Sequence, residues 1–169
     1  MSDPTKTTLT QERLKELLRY DPETGVFTWL IARQRVRKGS PAGTLHKHGY
    51  WVIKVDGRSY NASRLAWLYM VGEWPRHQID HSDLDRRNDR WDNLREATVA
   101  QNNTNRRAQK NNSCGVKWAY WKSTHNKFEG QIRIEGKLIS AGLFETAIEA
   151  NDACYRISLS HHGEFSRSE

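Results

Sequence analysis

Apolar residues in this chain occur in short clusters between polar turns and charged stretches, and this arrangement limits how large a core can form. Hydrophobic residues make up 36% of the 169 positions, and the mean hydropathy is −0.89. Seven tryptophans and six tyrosines partly compensate, because each aromatic ring buries a large area. We therefore expect no single large core, and the length fits one domain or two or three small modules.

The first segment, residues 1–76, has the patterns of a small mixed α and β region. Residues 10–20 predict a helix that Thr10 caps, followed by a turn and a short strand over 26–30. The apolar face of this helix consists of Leu14, Leu17 and Leu18.

A hairpin is predicted at Asp56-Gly57, because this pair supplies the positive φ angles that a two-residue turn requires. Its strands are 49–56 and 58–61, and an amphipathic helix follows over 62–70.

Positive charge is concentrated in the same segment. Residues 1–76 contain 13 Lys and Arg against 7 Asp and Glu, whereas the counts are 7 against 6 in 77–112 and 7 against 7 in 113–169. The total of +7 favours an acidic partner, nucleic acid before membrane. Within 33–43 a basic loop is either a solvated surface or a path for a phosphate backbone, through Arg33, Arg35, Arg37 and Lys38.

Four polar residues have a spacing with a chemical use: Asp80 and His81 are adjacent, Asn93 follows twelve positions after the histidine, and Asn102 nine positions later. Such a set can place a carboxylate, an imidazole base and an amide oxygen around one divalent cation. Magnesium prefers hard oxygen ligands and takes only one or two of them from protein. Each residue alone has a structural explanation, as a turn cap, a surface histidine or a loop asparagine.

The order of motifs between about Tyr69 and Asn105 resembles the HNH nuclease family, in the H-N-N form of phage and intron homing endonucleases. The motifs are Trp74-Pro75, Ile79-Asp80-His81, Asn88-Asp89-Arg90 and Asn93-Leu94-Arg95. The resemblance implies a ββα-metal (His-Me finger) core, with Asp80 and Asn102 as ligands of magnesium or manganese. It also implies His81 as the general base and Asn93 as the residue whose side-chain oxygen orients the imidazole.

The chain departs from this family at two positions. Relatives often have glycine where this chain has Leu84, and often have a histidine where it has Ser63. A Thr98-to-Gln101 capping box predicts the helix over 99–107 that carries Asn102. Further candidates for DNA contact are Arg64, Arg90, Arg95, Arg106 and Arg107.

Residues 113–165 predict three short strands and then a helix over 145–157, in which small residues form a stripe. The segment resembles the ethylene-response-factor type of DNA-binding domain, apart from Phe128, where that family usually has tryptophan. A plain structural module is the alternative. The resemblance implies that the exposed sheet face enters the major groove. Candidate contacts are Lys117, Trp118, Trp121, Lys127, Arg133 and Lys137.

The prediction is therefore an α+β, metal-dependent endonuclease that cuts duplex DNA, with a ββα-metal core and flanking small modules. Its domains are a basic supporting region (1–76), the nuclease motif (77–110) and a DNA-binding domain (111–169). We expect a monomeric nicking enzyme of the host cytoplasm, with no membrane partner and no signal region. Two cysteines without a Cys-x-x-Cys exclude a four-cysteine zinc site and favour free thiols. The rivals are a DNA-binding regulator with a degenerate nuclease core and a nuclease directed at RNA.

Overall fold

The structure is a computed structural model that describes residues 9–33, 36–105 and 112–166. Helices and short strands are mixed along the chain, which confirms the α+β class. The chain divides into two compact units, residues 1–96 and residues 97–169. This boundary falls within the segment predicted as one nuclease motif, and the division into three modules stays a prediction.

The first unit begins with helix α1, Gln11–Leu17, which Thr10 caps by accepting the N–H of Arg13 at 3.2 Å. Strands β1 (Leu18–Tyr20) and β2 (Phe27–Trp29) follow as an antiparallel pair. The turn between them requires a left-handed residue, and Gly25 supplies it with φ +75°.

A second sheet contains β3 (Thr44–Leu45), β4 (Trp51–Val55) and β5 (Arg58–Asn61). Asp56 and Gly57 connect the last two strands with φ values of 45° and 83°, which confirms the predicted hairpin turn.

Helix α2, Ala62–Val71, comes next and ends at Gly72. Its buried side packs with α1 and the strands around one apolar core, and the large fully buried members include Leu14, Leu17, Phe27, Ile53 and Leu65. This core also includes Leu94, and Ile79 packs against it, so it supports the segment predicted to contain the nuclease motif.

That segment forms β6 (Gln78–His81), a loop, a 3-10 turn (Trp91–Asn93) and β7 (Leu94–Ala97). The strands β6 and β7 pair in a two-stranded sheet. The loop between them is therefore anchored at both ends.

The second unit contains α3 (Val99–Asn105) and a three-stranded antiparallel sheet. The strands are β8 (Ala119–Lys122), β9 (Lys127–Ile134) and β10 (Lys137–Phe144), with β9 in the centre.

One face of this sheet is covered by α4, Ala147–His162, which begins with a capping box between Thr146 and Glu149. The helix approaches closely because Gly130 has no side chain: a Cβ there would lie 2.7 Å from the carbonyl oxygen of Ala150. The predicted small-residue stripe is confirmed at Ala150 and Cys154, which are fully buried.

Candidate active site

The end of strand β6 places two ionisable side chains in a buried position. Asp80 is 4% exposed and His81 is 5% exposed, although both are polar. Burying such groups costs free energy unless they have partners, so the contacts of these two side chains show how the protein stabilises them.

The imidazole of His81 meets a carboxylate that the sequence reasoning did not select. Its Nε2 atom lies 2.9 Å from Oδ1 of Asp89, and both side chains are buried. Burial raises the pKa of the Asp89 carboxyl group, and the hydrogen bond to His81 opposes that shift. Asp89 lies in the Asn88-Asp89-Arg90 motif. This motif is part of the family resemblance, but the resemblance implied no role for the Asp89 carboxylate.

Asn93 does not make the contact expected of it. Its side-chain oxygen accepts the backbone N–H of Asp83 at 3.0 Å, and its amide nitrogen donates to Asp83 Oδ1 and to the carbonyl of Asn88. The expected contact between the Asn93 oxygen and His81 is corrected accordingly: the amide points into the loop and ties it together, and Asp89 takes the place beside the ring.

Asp83 is the centre of that loop network. Burial alone would raise the pKa of its carboxyl group. Hydrogen bonds from Asn88, the Asp85 backbone and Asn93 outweigh this and hold the pKa below its ordinary value. The carboxylate therefore keeps its charge and holds the loop in one conformation.

The departure at Leu84 has a structural consequence. This leucine has φ +65°, a left-handed conformation that glycine adopts without steric cost. The turn closes with the Leu84 N–H donating to the carbonyl of His81 at 3.0 Å. The loop thus has the shape that suits glycine, at the cost of strain in this chain.

Asp80 pairs with Arg95 across the two-stranded sheet. The guanidinium Nε atom lies 3.0 Å from Asp80 Oδ2, and both side chains are largely buried. Arg64 instead donates to the carbonyls of His77 and Pro75 and lies over the ring of Trp74.

Of the other predicted DNA contacts in this unit, Arg90 is exposed beside Asp92, and Arg33 lies over the Trp29 ring with Asp56 4.0 Å away. Arg37 and Lys38 are exposed, whereas Arg35 lies outside the described residues.

Asn102, the second predicted metal ligand, belongs to the second unit. Helix α3 carries it, and the predicted capping box is confirmed, since the Thr98 N–H donates to Gln101 Oε1 at 2.9 Å and Gln101 N–H donates back to Thr98. This helix packs against α4 and the 3-10 turn Gly163–Phe165. Arg106 and Arg107 lie outside the described residues.

Within residues 9–33, 36–105 and 112–166, no three His, Cys, Asp or Glu side chains are grouped so that they could hold a metal ion. The predicted ligand set is smaller, one carboxylate from Asp80 and one amide oxygen from Asn102. Hard oxygen donors of this kind suit magnesium, which keeps most of its positions for water and phosphate.

In the second unit the strand register separates the predicted DNA contacts by face. Lys127 and Arg133 alternate with the buried residues of β9 and therefore lie on the face opposite α4, together with Tyr120, which is 50% exposed. Tyr120 was not predicted, although its place beside Trp121 in an alternating strand could have indicated it. Lys137 pairs with Ile134 and belongs to the α4 side.

Two tryptophans and one lysine that were predicted to contact DNA lie in other environments. Trp118 is 8% exposed and belongs to the core with Ile132 and Cys154, so its proposed DNA contact is corrected: the ring is already buried in protein. Trp121 is half exposed and packs edge-on against Phe128. The remaining candidate, Lys117, donates to the carbonyl of Thr104 and lies over the Trp118 ring.

Both cysteines are free thiols, as expected; Cys154 is buried and Cys114 half-buried. Among the described residues, no helix combines the length and the apolar character needed to cross a membrane.

Comparison with known proteins identifies the family of the segment that contains Asp80 and His81. The model of the HNH endonuclease family matches residues 60–104, from the end of the first hairpin to helix α3. The chain is also 32% identical over 106 residues to Protein 3.8 of Escherichia phage T7, a match that covers 60% of this chain and 84% of that protein. The chain therefore belongs to the HNH endonuclease family, whose members are nucleases that generally use divalent metal ions. No solved structure matches it.

Proposed function

We propose that the protein is a metal-dependent endonuclease that hydrolyses a phosphodiester bond of duplex DNA, with His81 as the general base. The observation that carries this proposal is the buried Asp80–His81 pair at the end of β6, inside the segment that matches the HNH family. The hydrogen bond of His81 to Asp89 holds the imidazole in one orientation, which a general base requires.

The reaction requires one water molecule. His81 takes a proton from the water, the water oxygen forms a bond to phosphorus, and the bond between phosphorus and the 3′-oxygen breaks. The 3′-oxygen leaves and takes a proton from solvent water, and His81 releases its proton to solvent, which gives a 5′-phosphate and a 3′-hydroxyl group.

Asp80 and Asn102 would hold the cation, for which we propose magnesium. A bound divalent ion supplies positive charge that offsets the charge developing on the phosphate and the leaving oxygen. Arg95 forms an ion pair with Asp80 and so holds its carboxylate in place. The loop tied by Asn93 and Asp83 keeps the two ends of the motif together.

We further propose a ββα-metal core, a monomeric enzyme of homing or nicking type, and a C-terminal sheet that binds DNA in the manner of ethylene-response-factor domains. The open sheet face supports the last point, because Arg133 and Tyr120 are exposed on it, beside Lys127, which is half-buried and paired with Glu145 at 2.7 Å. We also propose that the protein acts in a host cytoplasm, which a relative from a phage supports.

The primary test is cleavage of supercoiled plasmid and of phage genomic DNA with magnesium, with EDTA, and with the His81→Ala variant. We expect nicked circles with magnesium, none with EDTA, and a rate lower by about 10²–10⁴-fold for His81→Ala, the usual contribution of a general base. His77→Ala is the matched control, since His77 is exposed on the same segment and should cut normally. Equal cutting by wild type and His81→Ala would show that the assigned chemistry is wrong.

The sheet is tested by DNA binding. Arg133→Ala removes a charge from the open face, and Arg156→Ala removes the same charge from the exposed side of α4. Loss of binding in the first variant alone supports the sheet as the contact surface. Equal binding by both variants argues against it, and DNA binding with no cleavage by wild type would favour a regulator with an inactive core.

A further inference from the structure

The side chains of His81 and Asp89 form a buried pair within hydrogen-bond distance in the predicted active site, with side-chain exposures of 5% and 3%. In a site with little water, a hydrogen bond between an imidazole and a carboxylate is strong and directional. A carboxylate facing Nε2 favours the ring tautomer with its proton on Nε2, which leaves the lone pair of a base on Nδ1.

Asp89 is itself held by the turn of the β1–β2 hairpin. The hydroxyl of Tyr20 donates to the Asp89 carbonyl at 2.6 Å, and the Trp91 N–H donates to the Pro22 carbonyl at 3.0 Å. Burial raises the pKa of the Tyr20 phenol, so the hydroxyl remains a donor. Gly25 completes this contact, because a Cβ there would lie 2.5 Å from the Asp89 carbonyl carbon.

The hairpin residues in these contacts, Tyr20, Pro22 and Gly25, lie outside residues 60–104, the stretch that matches the family. The N-terminal hairpin therefore contributes to the site without supplying a reacting group. Burying a carboxylate costs free energy. The hairpin holds the backbone of residues 89–91 through the Tyr20 and Pro22 hydrogen bonds and the close approach of Gly25.

We propose that Asp89 is a positioning residue of the nuclease, whose carboxylate accepts the Nε2–H of His81 and so presents the Nδ1 edge of the ring to the attacking water. This inference rests on the proposed role of His81 as the general base. The β1–β2 turn acts indirectly, through Asp89, because it fixes the backbone from which the Asp89 side chain extends.

The test is a double-mutant cycle on the full chain, measured as single-turnover nicking of supercoiled plasmid with magnesium. Asp89→Ala should lower the rate at saturating enzyme about 10–100-fold, the usual effect of removing a residue that orients a functional histidine, and leave DNA affinity unchanged. In the His81→Ala background the same change should have no further effect, because Asp89 acts only through the ring.

Two variants separate positioning from general damage. Asp89→Asn keeps a side-chain oxygen that can accept the Nε2–H, and it should recover most of the rate lost in Asp89→Ala. Asp92→Ala removes an exposed carboxylate from the adjacent 3-10 turn and should cut like wild type.

A second readout does not depend on cleavage. Ring ¹⁵N chemical shifts of His81 in the metal-free protein, at a pH where imidazole is neutral, should report the Nε2–H tautomer in wild type and in Asp89→Asn. In Asp89→Ala the ring should shift toward a mixture of tautomers. If Asp89→Ala does not fold, the tautomer of wild type and the rate of Asp89→Asn decide the matter.

A wild-type rate for Asp89→Ala, equal losses in both backgrounds, or an Nδ1–H tautomer in wild type overturns the positioning role and leaves His81 as the base. Normal cutting by His81→Ala overturns the proposed function as well, so the two failures can be distinguished.

Discussion

The contact between Gly25 and the backbone of Asp89 makes a quantitative prediction. In Gly25→Ala the new Cβ would lie 2.5 Å from the Asp89 carbonyl carbon and 2.6 Å from the Arg90 nitrogen. Both neighbours are backbone atoms and cannot rotate away, so the turn must move by about 1 Å. The alanine must also adopt φ +75°, which costs about 1–2 kcal/mol.

Gly39→Ala isolates the cost of the positive φ from the clash, because Gly39 has φ +84° and a Cβ there would have no atom within 4 Å. Stiffening of the unfolded chain by alanine offsets part of the strain, by about 0.4–1 kcal/mol. We expect Gly39→Ala to lower the free energy of unfolding by about 0–1.6 kcal/mol on this balance.

In Gly25→Ala the displaced turn also weakens the hydrogen bonds from Tyr20 to the Asp89 carbonyl and from Trp91 to Pro22. At about 1 kcal/mol for each bond, with the clash added, the loss should be about 3–4 kcal/mol.

The assay is urea unfolding read by pulsed hydrogen–deuterium exchange and mass spectrometry, which follows peptides of residues 9–33 and 78–96 separately from the second unit. Gly25→Ala should unfold these peptides at clearly lower urea than Gly39→Ala. Equal midpoints for the two variants would refute the close contact as the reason for the glycine.

Three further outcomes are expected. Leu84→Gly should raise the free energy of unfolding of the first unit by up to about 1 kcal/mol, because it relieves φ +65°; an unchanged or lower urea midpoint would count against this. Gly130→Ala should destabilise the second unit by about 2–3 kcal/mol in the same experiment, since its Cβ would meet the Ala150 carbonyl at 2.7 Å; wild-type stability would contradict the close packing of α4. Iodoacetamide at about pH 8 should label Cys114 well before Cys154, because burial raises the pKa of the Cys154 thiol to about 11 and keeps it protonated; mass spectrometry of the labelled peptides measures the order, and equal rates would contradict it.

Local elements were predictable where short-range chemistry decides them. The Thr10 cap, the Asp56-Gly57 turn, the capping box at Thr98 and the small-residue stripe of α4 all occur as expected. Each depends on residues a few positions apart, whose preferred backbone angles and hydrogen bonds are the same in any fold. The position of Asp80 and His81 is also a local feature, since the two residues are adjacent in sequence and therefore lie together at the end of β6.

Partners distant along the chain were not predictable in this way. Asn93 was expected beside His81 and lies in the loop network, whereas Asp89 takes that place with support from Tyr20 and Gly25, more than sixty residues earlier. An amide and a carboxylate in one loop are both plausible partners for an imidazole, and only the path of the chain selects between them.

The residue types and their order thus establish the family, the mixed α+β class and the positions of the acid–base candidates. The folded chain assigns their partners: which carboxylate faces the imidazole, that Trp118 is core, and which charges share the open sheet face. The physical reason is that spacing along the chain limits which groups can meet locally, whereas burial and contact depend on packing between segments far apart in sequence.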